Sequence, residues 1–141
     1  MSNNDIFIEK LRSSGLRPTK QRRKICELLF DRKDTFHFTV SHLNNILKKN
    51  YSDKISLATV YNTVHAFRNK GYLKEISINS NQSYFDTNIS NHHHFFDEST
   101  NKLIDLKHSD VGKIKIKKTI AGKKIKSIEV LVKIANNNNN S

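Results

Sequence analysis

Residues Ser56 to Gly71, SLATVYNTVHAFRNKG, carry a helix start, an apolar stripe and a helix stop within one short run. Ser56 is suited to the N-cap, because its hydroxyl can accept from first-turn amides that have no partner inside the helix. Gly71 stands where a left-handed C-terminal turn favours glycine. Between them Leu57, Val60, Tyr61, Val64 and Phe67 follow three- and four-residue steps that share one side of an α-helix. Ala58, Thr59, Asn62, His65, Ala66 and Asn69 fall on the other side. That outer face is small, able to hydrogen-bond and nearly uncharged, which suits a helix reading base edges in a major groove. Any solvated helix face has a similar look, so the neighbouring segments must decide.

Charge is the first of those neighbours. Lysine and arginine number 25 against 13 acids, a net charge of +12 with histidines neutral, and so lopsided a balance is the mark of a polyanion binder. The 141 residues allow one ordinary domain or two small ones. Cys26 is the single cysteine, which rules out an intrachain disulfide and a zinc site built on paired thiolates. No run approaches the roughly 18 apolar residues of a membrane span, and the start, MSNNDIF, does not read as a signal peptide. The expectation is a soluble, cytoplasmic nucleic-acid binder with no membrane partner.

Along the chain, Asn3 or Asn4 can cap a short helix whose apolar residues Ile6, Phe7, Ile8 and Leu11 lead to Gly15. Thr19 caps a second helix, KQRRKICELLFDRK, with Ile25, Leu28 and Leu29 inward and Lys20, Arg22, Arg23 and Lys24 in its first turns. Cations there oppose the helix dipole, a cost that phosphate can offset. Thr39 caps a third helix with Leu43, Ile46 and Leu47 inward. Tyr51 to Ile55 then turns the chain into the Ser56 helix, giving a helix-turn-helix order. YLKEISI and QSYFDT, separated by Asn79, Ser80 and Asn81, read as a hairpin. Three helices and a hairpin make a winged helix, with Lys74 and the Asn79 to Gln82 tip as phosphate contacts.

The span Asn88 to Asn91 reads as a hinge between a DNA-binding domain at 1–87 and a second domain at 92–135. HHHFFDESTNKLIDL follows. In a strand, His92 and His94 would point one way and His93 the other, and imidazole is a common ligand for zinc, iron and haem. LIDL, KIKIK and SIEVLVKI read as further strands around a turn at Thr119 to Lys124. Nine lysines between Lys107 and Lys133 face only Asp110 and Glu129. A sheet so thinly covered is expected to pair with a second copy. The Asn-rich tail at 136–141 reads as disordered. The fold class is α+β: an N-terminal winged helix-turn-helix, then a small, mostly stranded dimerisation domain.

Three segments, GLRPTKQR, SLATVYNTVHAF and SYFDTNISNHHHFFDESTNKLIDL, resemble the ferric uptake regulator (Fur) family over Leu11 to Leu106, and more narrowly its iron response regulator (Irr) branch. The resemblance implies an iron- or haem-responsive homodimeric regulator acting on palindromic double-stranded operators of iron and haem metabolism genes. It implies that the Ser56 helix is the recognition helix, that Tyr61 contacts bases, and that Arg17 contacts the minor groove or backbone. The DNA-binding set is then Arg17, Lys20, Arg22, Ser56, Thr59, Tyr61, Asn62 and His65. It also implies a hinge metal site of His37, Asp86 and His93, with Asp105 as a further ligand. A second site would use His92 and His94 but would meet Lys126 and Ser127 where its remaining ligands belong. The four-cysteine structural zinc is absent, Glu98 and Asn101 lying where those thiolates would be. In the Irr branch the triplet His92, His93 and His94 is tied to haem.

On this view the effector is haem or a divalent ion, Fe²⁺, Mn²⁺ or Zn²⁺. Bound between the domains, it sets the separation of two recognition helices, which must enter major grooves about 34 Å apart. Two other classes stand beside it. One is a winged-helix DNA binder with no effector. The other is a metal-dependent hydrolase, weakened because three ligands from one contiguous triplet do not easily face one ion.

Overall fold

A computed structural model describes residues 2–52 and 54–137. The chain divides into two compact units, Met1–Ile89 and Ser90–Ser141. In the first unit, α1 (Asn3–Ser13) is capped by Ser2 rather than by Asn3 or Asn4. Ser2 Oγ accepts the Asp5 amide at 3.2 Å while the Asp5 carboxylate accepts from Ser2, a reciprocal capping box that an asparagine one residue later cannot complete. Phe7 and Leu11 are buried, and Ile6 is exposed. Helix α2 (Lys20–Phe30) starts at Thr19, as its sequence predicts, and buries Ile25, Cys26 and Leu29, with Leu28 partly covered. Burial pushes the Cys26 thiol up to about 12 against a smaller opposing pull from Lys10, so Cys26 is a core residue.

Helix α3 (Val40–Asn50) starts at Thr39, and α4 (Leu57–Lys70) runs from Ser56 to a left-handed Gly71 with φ of +92°. The inward side of α4 is Val60, Thr63, Val64 and Phe67. Leu57 and Tyr61, placed on the apolar stripe by spacing, are instead 55% and 52% exposed. Thr63 takes the buried place because its hydroxyl donates to the Thr59 carbonyl at 2.7 Å, leaving no unsatisfied donor inside.

The wing is β2 (Lys74–Asn79) and β3 (Gln82–Asp86), antiparallel, joined through Ser80 and Asn81, with the Asn81 amide donating to Asn79 Oδ1 at 2.9 Å. A two-residue strand, β1 (His37–Phe38), adds to the other edge of β3, giving the order β1-β3-β2. Two residues are too few for periodicity to announce a strand. The core of the unit gathers Leu11, Ile25, Leu29, Phe38, Leu43, Leu47, Val60, Val64, Phe67 and Phe85.

In the second unit, β4 (His93–Asp97) lies between antiparallel β5 (Lys102–Leu106) and parallel β6 (Leu131–Ile134). A parallel neighbour requires a long connection, which residues 107–130 supply. That connection corrects two expectations. KIKIK and the first half of SIEVLVKI form no strand among the described residues; the connection's turns fall outside both, a 3₁₀ turn at His108–Asp110 and a turn at Gly122, where φ is +75°. Alternation of isoleucine and lysine is a strand pattern, but a strand also needs an adjacent edge, and here Ile116, Ile120 and Ile125 are exposed. Of the tail, residues 138–141 lie outside the described residues, while the Asn136 amide donates to Ser99 Oγ at 2.8 Å. No helix among the described residues is long and apolar enough to cross a membrane.

Candidate metal centre and nucleic-acid interface

The register of β4 against β5 sets His94 directly across from Asp105. His92, two residues earlier, is on the same side of the chain, as strand alternation predicts. Asp105 Oδ1 is 3.2 Å from His92 Nε2 and 3.5 Å from His94 Nε2, and the two imidazole rings lie 4.4 Å apart. Ligand atoms of these three residues fall within 4.8 Å of one another. His92 and His94 are buried, whereas Asp105 is partly open to solvent.

The tautomer of His92 follows from its other nitrogen. Nδ1 is 2.7 Å from the Ser90 carbonyl, which can only accept, so Nδ1 carries a proton. In the neutral ring Nε2 is then a lone pair facing a carboxylate oxygen. Two acceptors at that distance repel unless a second proton or a cation stands between them. A histidine whose remote nitrogen is tied to a carbonyl is the usual form of a metal ligand. Two imidazoles and a carboxylate therefore fit a first-row divalent ion of the iron, manganese or zinc kind.

His93 is turned away from this group. Its Nδ1 accepts the Val130 amide at 3.0 Å and its ring stacks on His108, 5.4 Å between centroids. Burial first, then the neighbouring His108, His92 and His94, hold it below the ordinary imidazole range, against a smaller upward pull from Glu129. His93 thus fastens the approach to β6 onto β4. The triplet splits into two residues that face Asp105 and one that faces Val130 and His108; of the three histidines the resemblance had put forward, His93 for the hinge site and His92 and His94 for a second one, the structure brings His92 and His94 to Asp105.

In the first unit, β1 pairs with β3 so that His37 lies directly across from Asp86. His37 Nε2 and Asp86 Oδ2 are 3.0 Å apart, and Asp86 Oδ1 accepts the Asn88 amide at 2.8 Å. Asp86 is fully buried. A carboxylate with no solvent contact needs a cation or hydrogen-bond donors, and this one has an imidazole at hand.

The residues expected to contact DNA are spread over α2, α4 and the turns that precede them. Tyr61 and Asn62 are exposed on α4, and His65 is half-buried beside them. Ser56 and Thr59 are occupied at the cap: Ser56 Oγ accepts the Thr59 amide at 3.1 Å and meets Thr59 Oγ1 at 2.9 Å. Arg17 and Lys20 are exposed at the start of α2. Arg22 is half-buried and donates through one guanidinium nitrogen to the Arg17 carbonyl at 3.0 Å. Two residues that sequence reasoning left out, Arg68 and Glu75, form an ion pair joining α4 to β2. Arg68 one helical turn after His65 was the available signal; the hairpin that returns Glu75 to it was not readable from spacing.

A helix-turn-helix with a wing, followed by a strand unit carrying paired imidazoles and a carboxylate, defines a class: winged-helix regulators with a metal-binding unit. The model of the Ferric uptake regulator family matches residues 13–134, and the chain belongs to that family, whose members are transcription regulators and not enzymes. The peroxide-responsive repressor PerR of Staphylococcus aureus is 32% identical over 107 residues, covering 76% of this chain and 70% of that protein. The structure of the ferric uptake regulator from Pseudomonas aeruginosa with manganese has a TM-score of 0.67 at 17% identity, covering 94% of this chain and 99% of that one. A zinc-bound manganese uptake regulator has a TM-score of 0.62 at 22% identity, covering 96% and 99%. These likenesses establish the α+β fold and the family. The narrower likeness to the Irr branch rests on the triplet and the missing thiolates alone.

Proposed function

We propose that the protein is a homodimeric, cytoplasmic, sequence-specific DNA-binding regulator whose effector is a divalent metal ion held by His92, His94 and Asp105. The observation that carries this is the paired approach of two imidazole Nε2 atoms to one Asp105 oxygen, with His92 Nδ1 already committed to the Ser90 carbonyl. His37 and Asp86 are assigned to the same ion on ligand chemistry. Three donors from one unit leave an iron or manganese ion short of its usual five or six, and the first unit offers an imidazole and a carboxylate already paired. An ion using both sets would couple occupancy to the presentation of two recognition helices.

Haem is the weaker effector. The cleft beside His92 and His93 measures about 190 Å³, below the roughly 300–1,000 Å³ of small-molecule sites. Iron, manganese and zinc were all expected from sequence, the relatives named above add support for manganese and zinc, and peroxide enters through the PerR relative alone. The test is duplex selection from a random library by the full-length protein, with Fe²⁺, Mn²⁺, Zn²⁺, haem, or Fe²⁺ followed by peroxide. Enrichment of a palindrome that depends on a divalent ion, and that fails in His92→Ala and His37→Ala, is the expected result. Enrichment indifferent to chelator would leave a constitutive winged-helix binder.

A further inference from the structure

The guanidinium of Arg68 spends all three of its nitrogens inside the first unit. Nε donates to Asn69 Oδ1 at 2.9 Å, one terminal nitrogen pairs with Glu75, and the other is 3.1 Å from His65 Nδ1. Arginine has no acceptor, so the last contact has one polarity: Arg68 donates and His65 Nδ1 accepts. His65 is therefore neutral with its proton on Nε2. Its ring lies 4.0 Å from that of Tyr61, tilted by 35°, and meets Phe85 of the core edge-on at 5.6 Å. Tyr61 itself is 52% exposed on the outer side of α4. Tyr61, His65 and Glu75 line a cleft of about 300 Å³ between α4 and the hairpin, together with Asn81 and Gln82 of the wing.

We propose that Glu75 and Arg68 are positioning residues for DNA recognition: Glu75 on the wing strand anchors Arg68 on α4, which holds His65 in its Nε2–H tautomer and fixes the exposed Tyr61 ring that lies against it. An exposed tyrosine has two side-chain torsions to order on binding, and a ring already stacked loses less freedom when it meets a base. A fixed tautomer makes His65 a constant donor at Nε2, where a mixture would read as donor in one molecule and acceptor in the next. The wing strand and the reading helix are thereby tied through side chains as well as through the core. Burial and the Arg68 charge hold His65 below its ordinary range, with Glu75 pulling the other way, in keeping with a neutral ring.

This inference rests on α4 being the reading helix, and the test separates the two claims. The zinc-loaded full-length protein is examined by ¹⁵N NMR for the His65 tautomer. Wild type, Glu75→Gln, Arg68→Met and Arg68→Lys are then compared on the duplex that wild type enriches and on a scrambled duplex. The expected results are a single Nε2–H tautomer in wild type, mixed tautomers in Arg68→Met, and discrimination lowered about five- to tenfold in Glu75→Gln. Random-duplex affinity of Glu75→Gln should change less than about twofold. Arg68→Lys keeps the charge but lacks the fork, and should behave like Glu75→Gln. An Nδ1–H tautomer in wild type, which needs no variant to fold, or full discrimination in Glu75→Gln, overturns the inference alone. A wild type that enriches no sequence overturns the regulator reading and this inference with it.

Discussion

Replacing His94 by alanine removes one of three donors that approach each other in the second unit, while replacing His93 removes a neighbour that faces the other way. With metal supplied at about one hundred times the wild-type dissociation constant, binding stabilises the folded protein by about 2.7 kcal/mol. Altered outer-shell partners alone weaken metal sites by about 10- to 100-fold, so loss of a direct donor should cost at least the upper end of that range. At the same metal concentration His94→Ala would then gain only about 0.4 kcal/mol. A small unit melts about 4–8 °C higher per kcal/mol, so the metal-induced shift should fall from roughly 11–22 °C to about 2–3 °C. His93→Ala should behave in the opposite sense. It strips the Val130 amide of its acceptor, lowering baseline stability by about 1–3 kcal/mol, yet should keep the full metal increment. Differential scanning calorimetry with Mn²⁺ or Zn²⁺ measures both quantities in one series. A lost increment in His93→Ala together with a retained one in His94→Ala would refute the assignment of the triplet.

Other consequences follow from single residues. On the proposed function, Tyr61→Ala should lose sequence preference more than affinity for random DNA, because an exposed uncharged ring can contact a base but cannot neutralise phosphate; equal losses in a competition binding assay would count against it. Burial and Arg68 depress the His65 pKa, so the unfolded chain binds more protons than the folded one in that range. Its contribution to stability should be present above about pH 6.5 and lost as pH falls toward the lowered folded value, a dependence that Arg68→Met should shrink in denaturant melts at several pH values. Cys26, buried and raised to about 12, should resist alkylation in the native protein at pH 8 and react only on unfolding, as mass spectrometry would record; rapid native labelling would contradict its place in the core.

Local chemistry made much of the first unit legible. Thr19, Thr39 and Ser56 announce their helices because a cap needs only the residues that follow it, and Gly71 announces the end of α4 because its backbone has a positive φ. The strand period of the triplet likewise separated His93 from His92 and His94. What spacing could not supply was partnership. Leu57 and Tyr61 fit an apolar stripe, but which helical face packs inward depends on neighbours distant in sequence, and Thr63 could enter the core only because its hydroxyl found the Thr59 carbonyl. KIKIK alternates as a strand should, yet no edge lies beside it among the described residues.

The sequence by itself determined the starts of α2, α3 and α4, the wing, the excess of positive charge and the donor types available for a metal, since each depends on a residue and its near neighbours. Tertiary structure decided which donors meet: Asp105 reaches His94 through strand register and Asp86 reaches His37 through a two-residue strand. It also decided that Glu75 reaches His65 through Arg68. Those encounters join residues up to 49 positions apart, and a pattern with a period of two or four residues carries no information at that range.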